Sequence, residues 1–141
     1  MQLNLSTDIA LRTLIYLGQK SEPATITEVS NAFDIAKTHL MKVVMTLVAQ
    51  GLVISERGRN GGIRLARDAA RIRIGDVVLT MEPNMALVYC MRPDAIETDC
   101  PLLPGCKLKK KFGKAQKAFI ASLNESTLSD LLPAKPIEVK P

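Results

Sequence analysis

The chain has few aromatic residues and few cysteines, and each shortage excludes a class of protein. Aromatic residues make up 4% of the 141 residues, which argues against a ligand cage lined with aromatic rings. The three cysteines are an odd number, so a full disulfide framework cannot form, and in a reducing compartment their thiols favour metal or redox chemistry. No nucleophile and base stand in a recognisable constellation, so we expect no enzymatic activity.

Long apolar runs are also lacking. No run reaches the roughly 18 residues that a membrane helix needs. The amino-terminal stretch has no basic region of the kind that begins a signal peptide, and it carries Asp8 among its apolar residues. We therefore expect a cytoplasmic protein that makes no contact with a membrane.

The residues that are abundant indicate a globular protein with an anionic partner. Hydrophobic residues make up 47% of the chain, which is enough for a core. The length favours one domain, or one domain with an appended helix. The net charge of +5 favours a polyanion, of which nucleic acid is the commonest.

The first third of the chain is predicted to form three helices. Residues 6–19 are predicted to form the first helix, with Ser6 or Thr7 as its N-cap. Asp8 lies in the first turn, where the helix dipole stabilises a carboxylate. Thr25 and Glu28 have the spacing of a capping box and begin a second, short helix. A turn over 34–36 then leads to a helix over 37–50, so the pattern is that of a helix-turn-helix.

The third helix and the segment after it are predicted to bind DNA. A buried stripe on this helix leaves polar and basic residues at its amino-terminal end, where a recognition helix contacts DNA. Strands over 52–56 and 63–65 flank the hairpin signal Asn60-Gly61 and form a basic wing. An ordinary amphipathic helix and a solvated basic hairpin are the alternatives. The predicted DNA-binding residues are Lys37, Thr38, His39, Lys42, Arg57, Arg59, Asn60 and Arg64.

The rest of the chain is predicted to add a short fourth helix over 72–81 and a long helix over 107–123. An apolar stripe on the long helix favours packing against a partner helix, and so a homodimer, while its lysines form a solvated face or contact phosphates. The fold class is therefore mainly α with a small β-hairpin, a winged helix-turn-helix head and a long C-terminal dimerisation helix. The predicted units are a DNA-binding head over 1–82, a cysteine segment over 83–106, the dimerisation helix with a terminal turn over 107–132, and a loose tail over 133–141.

The cysteine segment contains every cysteine of the chain, Cys90, Cys100 and Cys106, and prolines interrupt it. Thiolates bind iron-sulfur clusters and zinc, and both normally require four ligands. A carboxylate, water or a group from another subunit can supply the fourth, whereas His39 lies on the predicted recognition helix. Cys106 precedes a helix and a lysine cluster, which favour its thiolate form. A thiol redox switch, a zinc site and buried structural cysteines remain open at this point.

These motifs together resemble the iron-sulfur winged-helix regulators, the family that includes IscR and RirA, and within it the nitric-oxide-sensing NsrR-type repressors. The similarity covers roughly residues 1–132. The motifs that carry it are Thr7-Asp8 with Leu11-Arg12, the segment 39–44, the wing 57–65, the segment 74–78 with Met81-Glu82-Pro83, and the stretch from Cys100 to Leu108.

The resemblance implies a homodimeric repressor that binds a double-stranded palindromic operator and responds to nitric oxide. It implies a cluster, [4Fe-4S] rather than [2Fe-2S], held by Cys90, Cys100 and Cys106 of one subunit and Asp8 of the other. IscR-like [2Fe-2S] sites use a histidine where this chain has Lys109. The nine residues between the first two cysteines exceed the gap of NsrR-type proteins, and RirA-type iron sensors have an intermediate gap. An iron-responsive regulator and a cluster-free thiol switch are therefore the alternatives.

Overall fold

The computed structural model describes residues 2–58, 61–96 and 100–138. The predicted fold class, mainly α with a small β-hairpin, is confirmed. The helices and strands are α1 Leu5–Gly18, α2 Ile26–Phe33, α3 Lys37–Ala49, β1 Val53–Glu56, β2 Gly62–Leu65, α4 Ile74–Met81 and α5 Lys107–Leu123, with single 3₁₀ turns at Ala69–Arg71, Tyr89–Met91 and Ser129–Leu131. No helix in these ranges is long and apolar enough to cross a membrane.

Helix α1 lies at the centre of the head and packs against α2, α3, α4 and β2. Ala10 and Leu14 are fully buried, and Leu40 and Leu47 of α3 are fully buried in the same core. The spacing of Leu40 and Leu47 is that of one helix face, as the stripe on this helix predicted. The core therefore fixes α3 with its other face toward the surface.

The predicted cap of α1 was wrong. Asn4, not Ser6 or Thr7, is the N-cap, and its side chain accepts a hydrogen bond from the amide of Thr7 at 2.9 Å. The Thr7 side chain is buried and donates instead to Glu82. The Thr7 hydroxyl, which a local pattern would assign as the N-cap of α1, therefore makes a long-range contact instead.

The two ends of α2 and the start of α3 are defined by local backbone features. The capping box of Thr25 and Glu28 is confirmed, with both of its reciprocal hydrogen bonds present at 3.1 and 2.7 Å. Asp34 ends α2 in the left-handed region, at φ 54°. Ala36 precedes α3 and provides no side-chain cap. The amino-terminal amides of α3 are therefore not satisfied by a capping side chain.

The wing is an antiparallel pair in which Val53 faces Leu65 and Glu56 faces Gly62. The segment before α2 joins it, because Ala24 and Ile63 exchange hydrogen bonds of 2.9 and 2.8 Å. A Cβ atom at Gly62 would lie 2.6 Å from the carbonyl oxygen of Ala24, so this close approach requires glycine. The wing is thereby fixed to the head.

After α5 the chain returns to the head. Leu128 is fully buried in its core, and its amide donates to the carbonyl of Ile72 at 2.7 Å. Gly75 lets α4 approach α5, since a Cβ atom there would lie 2.7 Å from the carbonyl oxygen of Ile120. Beyond this point, the Gln19 side chain donates to two carbonyl oxygens of the segment 133–135, each at 3.1 Å.

Candidate functional sites

The amino-terminal part of α3 presents a basic, exposed surface. Lys37, Thr38 and Lys42 are exposed, with Lys37 at the start of the helix and Thr38 and Lys42 on the side opposite the buried stripe. The first turn of α3 contains no acidic residue. The positive end of the helix dipole and the two lysines therefore combine at one place, an arrangement that attracts phosphate groups.

His39 lies differently from the other residues that were predicted to contact DNA. It is half-buried, and its Nε2 shares a hydrogen bond of 3.2 Å with the hydroxyl of Ser6 in the first turn of α1. No local pattern indicates this pairing, because the partners are 33 residues apart in the chain. His39 thus joins the start of α1 to the start of α3.

The two described arginines of the wing, Arg57 and Arg64, are exposed at its surface. Arg57 is exposed after β1. Arg64, on β2, forms an ion pair with Glu56 on β1, and about half of its side chain is exposed. Surface pairs of this kind contribute at most about 1 kcal/mol, so Arg64 can exchange Glu56 for a phosphate at little cost. Arg59 and Asn60 lie outside the described residues.

The three cysteines are free thiols, and all are half-buried. Cys90 lies in the turn Tyr89–Met91, which packs against α5. The carbonyl of Cys100 accepts a hydrogen bond of 3.0 Å from the amide of Leu103. Cys106 is the N-cap of α5, and its Sγ accepts a hydrogen bond of 3.4 Å from the amide of Lys109.

The donor set suits an iron-sulfur cluster, although the thiols are dispersed. Three unpaired thiols lie on one segment, thiolates are the usual ligands of such clusters, and the Cys106 sulfur accepts an N–H bond at the start of α5. Among the described residues, no three histidine, cysteine or acidic side chains are grouped closely enough to hold a metal ion. The cysteine segment would have to close around a cluster to bind it.

Asp8 lies in the first turn of α1, with its side chain 45% exposed. Its carboxylate pairs with Arg12, one turn later, at 2.8 Å. Because the carboxylate is at the surface, it is accessible to a second molecule. The structure does not bring Asp8 together with the three cysteines of its own chain into one metal-binding group within the described residues.

Sequence reasoning missed the role of Glu82, which joins the start of α1 to the end of α4. Its carboxylate accepts hydrogen bonds from the amide of Asn4, at 2.8 Å, and from the hydroxyl of Thr7. The Asn4 side chain also donates to the carbonyl of Met81 at 3.2 Å. Glu82 ends α4 and begins the path to the cysteine segment, so the start of α1, which carries Asp8, is fixed to that path. A glutamate before Pro83 carries no local signal for a contact with residues some 75 positions away.

Helix α5 is long but poorly covered. None of its 17 residues is buried, and Leu108 is 57% exposed. An apolar groove of about 420 Å³ runs between α4 and α5, where Leu79 is 48% exposed. The groove is lined by Leu79, Gly113, Gln116, Lys117, Ile120 and Ala121.

Comparison with known proteins identifies relatives along nearly the whole chain. Residues 3–134 match the model of the Rrf2 family, described as an iron-dependent transcriptional regulator. The HTH-type transcriptional regulator NsrR of Oceanobacillus iheyensis is 43% identical over 134 residues, which cover 94% of this chain and 90% of that protein.

Solved structures share the fold at lower identity. The global cysteine regulator CymR of B. subtilis has a TM-score of 0.73 at 22% identity, over 94% of this chain and 96% of that one. IscR of T. potens has a TM-score of 0.72 at 22% identity, over 94% and 86%. The oxidised form of CymR from Staphylococcus aureus has a TM-score of 0.73 at 22% identity, over 96% and 98%.

Proposed function

The chain belongs to the Rrf2 family of transcriptional regulators, and from this premise we propose that it is a homodimeric repressor whose operator binding is controlled by a nitric-oxide-sensitive iron-sulfur cluster. The observation that carries the DNA-binding part is the exposed basic amino-terminal end of α3. Lys37 and Lys42 are exposed on this helix, its first turn has no carboxylate to oppose them, and Arg57 is exposed after β1 of the wing. Two such heads, related by a two-fold axis, would contact half-sites about one DNA turn apart.

The contribution of these side chains to DNA binding is measurable through its salt dependence. Lys37→Ala and Lys42→Ala should each weaken binding to all sequences and lower the slope of log K against log salt by about 1, because each removes one phosphate contact. Lys135→Ala, which removes an exposed lysine near the end of the chain, is the matched control and should leave the slope unchanged. Equal slopes for all four proteins would contradict this assignment of α3.

The homodimer is supported by the incomplete burial of α5. A helix of 17 residues with no buried side chain, beside an apolar groove, leaves surface that a second copy would cover. Ile120→Glu places a charge in the groove and should convert the dimer into a monomer in sedimentation equilibrium. Lys111→Glu changes an exposed side chain of α5 that does not line the groove and is the control. A dimer that survives Ile120→Glu with unchanged affinity would exclude this groove as the interface.

Cys90, Cys100 and Cys106 would hold the cluster through their thiolates, with Asp8 of the partner subunit as the fourth ligand and [4Fe-4S] as the expected form. When bound, the cluster supplies iron atoms that react with nitric oxide, while iron loss is the corresponding event for an iron sensor. A carboxylate is a harder ligand than a thiolate, so the ligand from Asp8 is expected to be the exchangeable one.

The residues around Asp8 provide a route from this site to the DNA. Ser6, two residues before Asp8, shares a hydrogen bond with His39 of α3. Glu82 holds the same turn of α1 against the end of α4. A displacement of the first turn of α1 therefore changes contacts at the start of α3, and the position of α3 determines how it enters the major groove.

The cysteine assignment is tested by operator binding of single variants. Cys100→Ala and Cys106→Ala, reconstituted anaerobically, should lose tight and specific operator binding while the head remains folded by circular dichroism. Ser21→Ala, an exposed loop substitution, is the control. Tight, specific binding by either cysteine variant without cluster would overturn cluster control but leave DNA binding by the head intact.

A further inference from the structure

Two large apolar side chains stand in the middle of the basic surface of α3. Met45 is 70% exposed, the highest value among the large exposed hydrophobic residues of the described chain, and Met41 is 52% exposed. Neither belongs to the core of the head. A flexible apolar side chain on a charged surface gains little in water, so this pair points to a contact that the isolated chain does not make.

Helix geometry places the methionines in one row with Thr38. Positions 38, 41 and 45 recur at intervals of three and four residues, so they lie on one side of the helix, away from Leu40 and Leu47. The row covers seven residues at about 1.5 Å each, roughly 10 Å, which is about three base-pair steps of roughly 3.4 Å. Lys37 and Lys42 lie on either side of it, so the lysines are placed for the phosphates at the groove edges and the row for the groove floor.

The chemistry of the two methionines indicates which groups on the floor of the DNA major groove they can contact. Methionine has no hydrogen-bond donor, and its thioether is a weak acceptor, so it cannot read the polar edges of guanine, cytosine or adenine. The C5 methyl group of thymine is the apolar feature of the major groove, and the unbranched, polarisable methionine side chain suits it.

A second copy of this chain fits the surface less well than DNA. A two-fold contact through α3 would bring Lys37 and Lys42 close to the same residues of the other copy, and like charges in an interface are unfavourable. We infer that Met41 and Met45 contact thymine methyl groups and so determine operator specificity. This inference rests on the proposed DNA-binding function and extends it to the bases that are read.

The test removes only the C5 methyl group of thymine from the DNA. A duplex selected from a random library by the cluster-loaded protein is resynthesised with uracil in place of each thymine in turn. For the wild-type protein, uracil at one or two positions in each half-site should weaken binding about fourfold, the effect of exposing one methyl-sized apolar group. Met45→Ala or Met41→Ala should bind the thymine duplex about fourfold more weakly and should show no further loss with uracil at its own position.

Two variants act as controls for this coupling. Met45→Leu keeps an apolar side chain and should retain most of the penalty for uracil. Val48→Ala, one turn beyond Met45 on the same helix and 38% exposed, should retain all of it. The inference is wrong if every uracil penalty persists unchanged in both methionine-to-alanine variants. It is also wrong if the wild-type protein binds the uracil duplexes as tightly as the thymine duplex. Either result would leave the proposed DNA binding intact. If the cluster-loaded protein prefers no duplex over random DNA, the proposed function fails and the inference fails with it.

Discussion

The head and the region that follows it differ in how much of their structure a single chain can complete. In the head, residues of all four helices and both strands enter one core, and α1 alone contributes seven buried residues. In the described part of 83–123, no residue is buried, and the cysteines lie there as separate, half-buried thiols. The head is therefore stabilised by its own packing, whereas the cysteine segment and α5 leave thiols and apolar surface only partly covered by their own chain.

The largest expected effect comes from removing core volume in the head. Leu14→Ala deletes a fully buried side chain and should lower the free energy of unfolding by about 2–5 kcal/mol, since it leaves a cavity. Leu102→Ala makes the same chemical change in the cysteine segment, where the side chain is 62% exposed, and should change stability by no more than about 0.5 kcal/mol. Urea unfolding of the cluster-free protein measures both, and equal losses would contradict the contrast between the two regions.

An intermediate effect is expected at Glu82, where the two regions meet. Glu82→Ala leaves the amide of Asn4 and the buried hydroxyl of Thr7 without their acceptor and should cost about 1–3 kcal/mol. Glu82→Gln keeps the shape and an acceptor oxygen and should cost less. If Glu82 also positions Asp8, the alanine variant should lose cluster faster than Leu102→Ala under chelation, and equal rates of loss would limit Glu82 to a structural role in the head.

The smallest effect is expected at the capping box, and it depends on pH. The backbone hydrogen bond from Thr25 holds the pKa of Glu28 below its usual value, its side-chain hydrogen bond and the charge of Lys20 lower that pKa further, and partial burial opposes them. Because the folded-state pKa is depressed, the stabilisation is present above the unfolded pKa and is lost as pH falls through the folded pKa. Glu28→Ala removes the carboxylate that accepts the Thr25 amide and should cost about 0.5–1 kcal/mol at neutral pH and less in acid, as measured by thermal unfolding. Thr27→Ala, an exposed change in the same turn, is the control, and a cost of Glu28→Ala that stays constant with pH would exclude the Glu28 carboxylate from the cap.

The parts of the fold that the sequence predicted correctly are those in which a local pattern determines the structure. The spacing of Thr25 and Glu28 predicts their capping box, because both partners lie in one turn. The repeat of Leu40 and Leu47 predicts the buried face of α3, because a helix repeats every 3.6 residues. The N-cap of α1 was mistaken because Thr7 bonds to Glu82, a partner that no short-range pattern indicates.

In the candidate sites too, some features follow from local sequence patterns and others depend on long-range contacts. The exposed position of Lys42 follows from helix periodicity, whereas the bond between His39 and Ser6 depends on how α1 packs against α3. The grouping of Cys90, Cys100 and Cys106 stays a prediction, since it depends on a ligand and a second subunit rather than on local periodicity. The role of Asp8 rests on the resemblance to NsrR-type repressors in the same way.

The most direct test of cluster control is an anaerobic titration of reconstituted protein with nitric oxide, in which visible absorption and operator binding are followed together. We predict that the absorption band of the cluster bleaches and that operator affinity falls in parallel. A cluster that withstands nitric oxide but disperses on iron chelation, with release of DNA, would replace the nitric-oxide signal with iron. Operator binding that persists unchanged after the cluster is destroyed would exclude control of this repressor by its cluster.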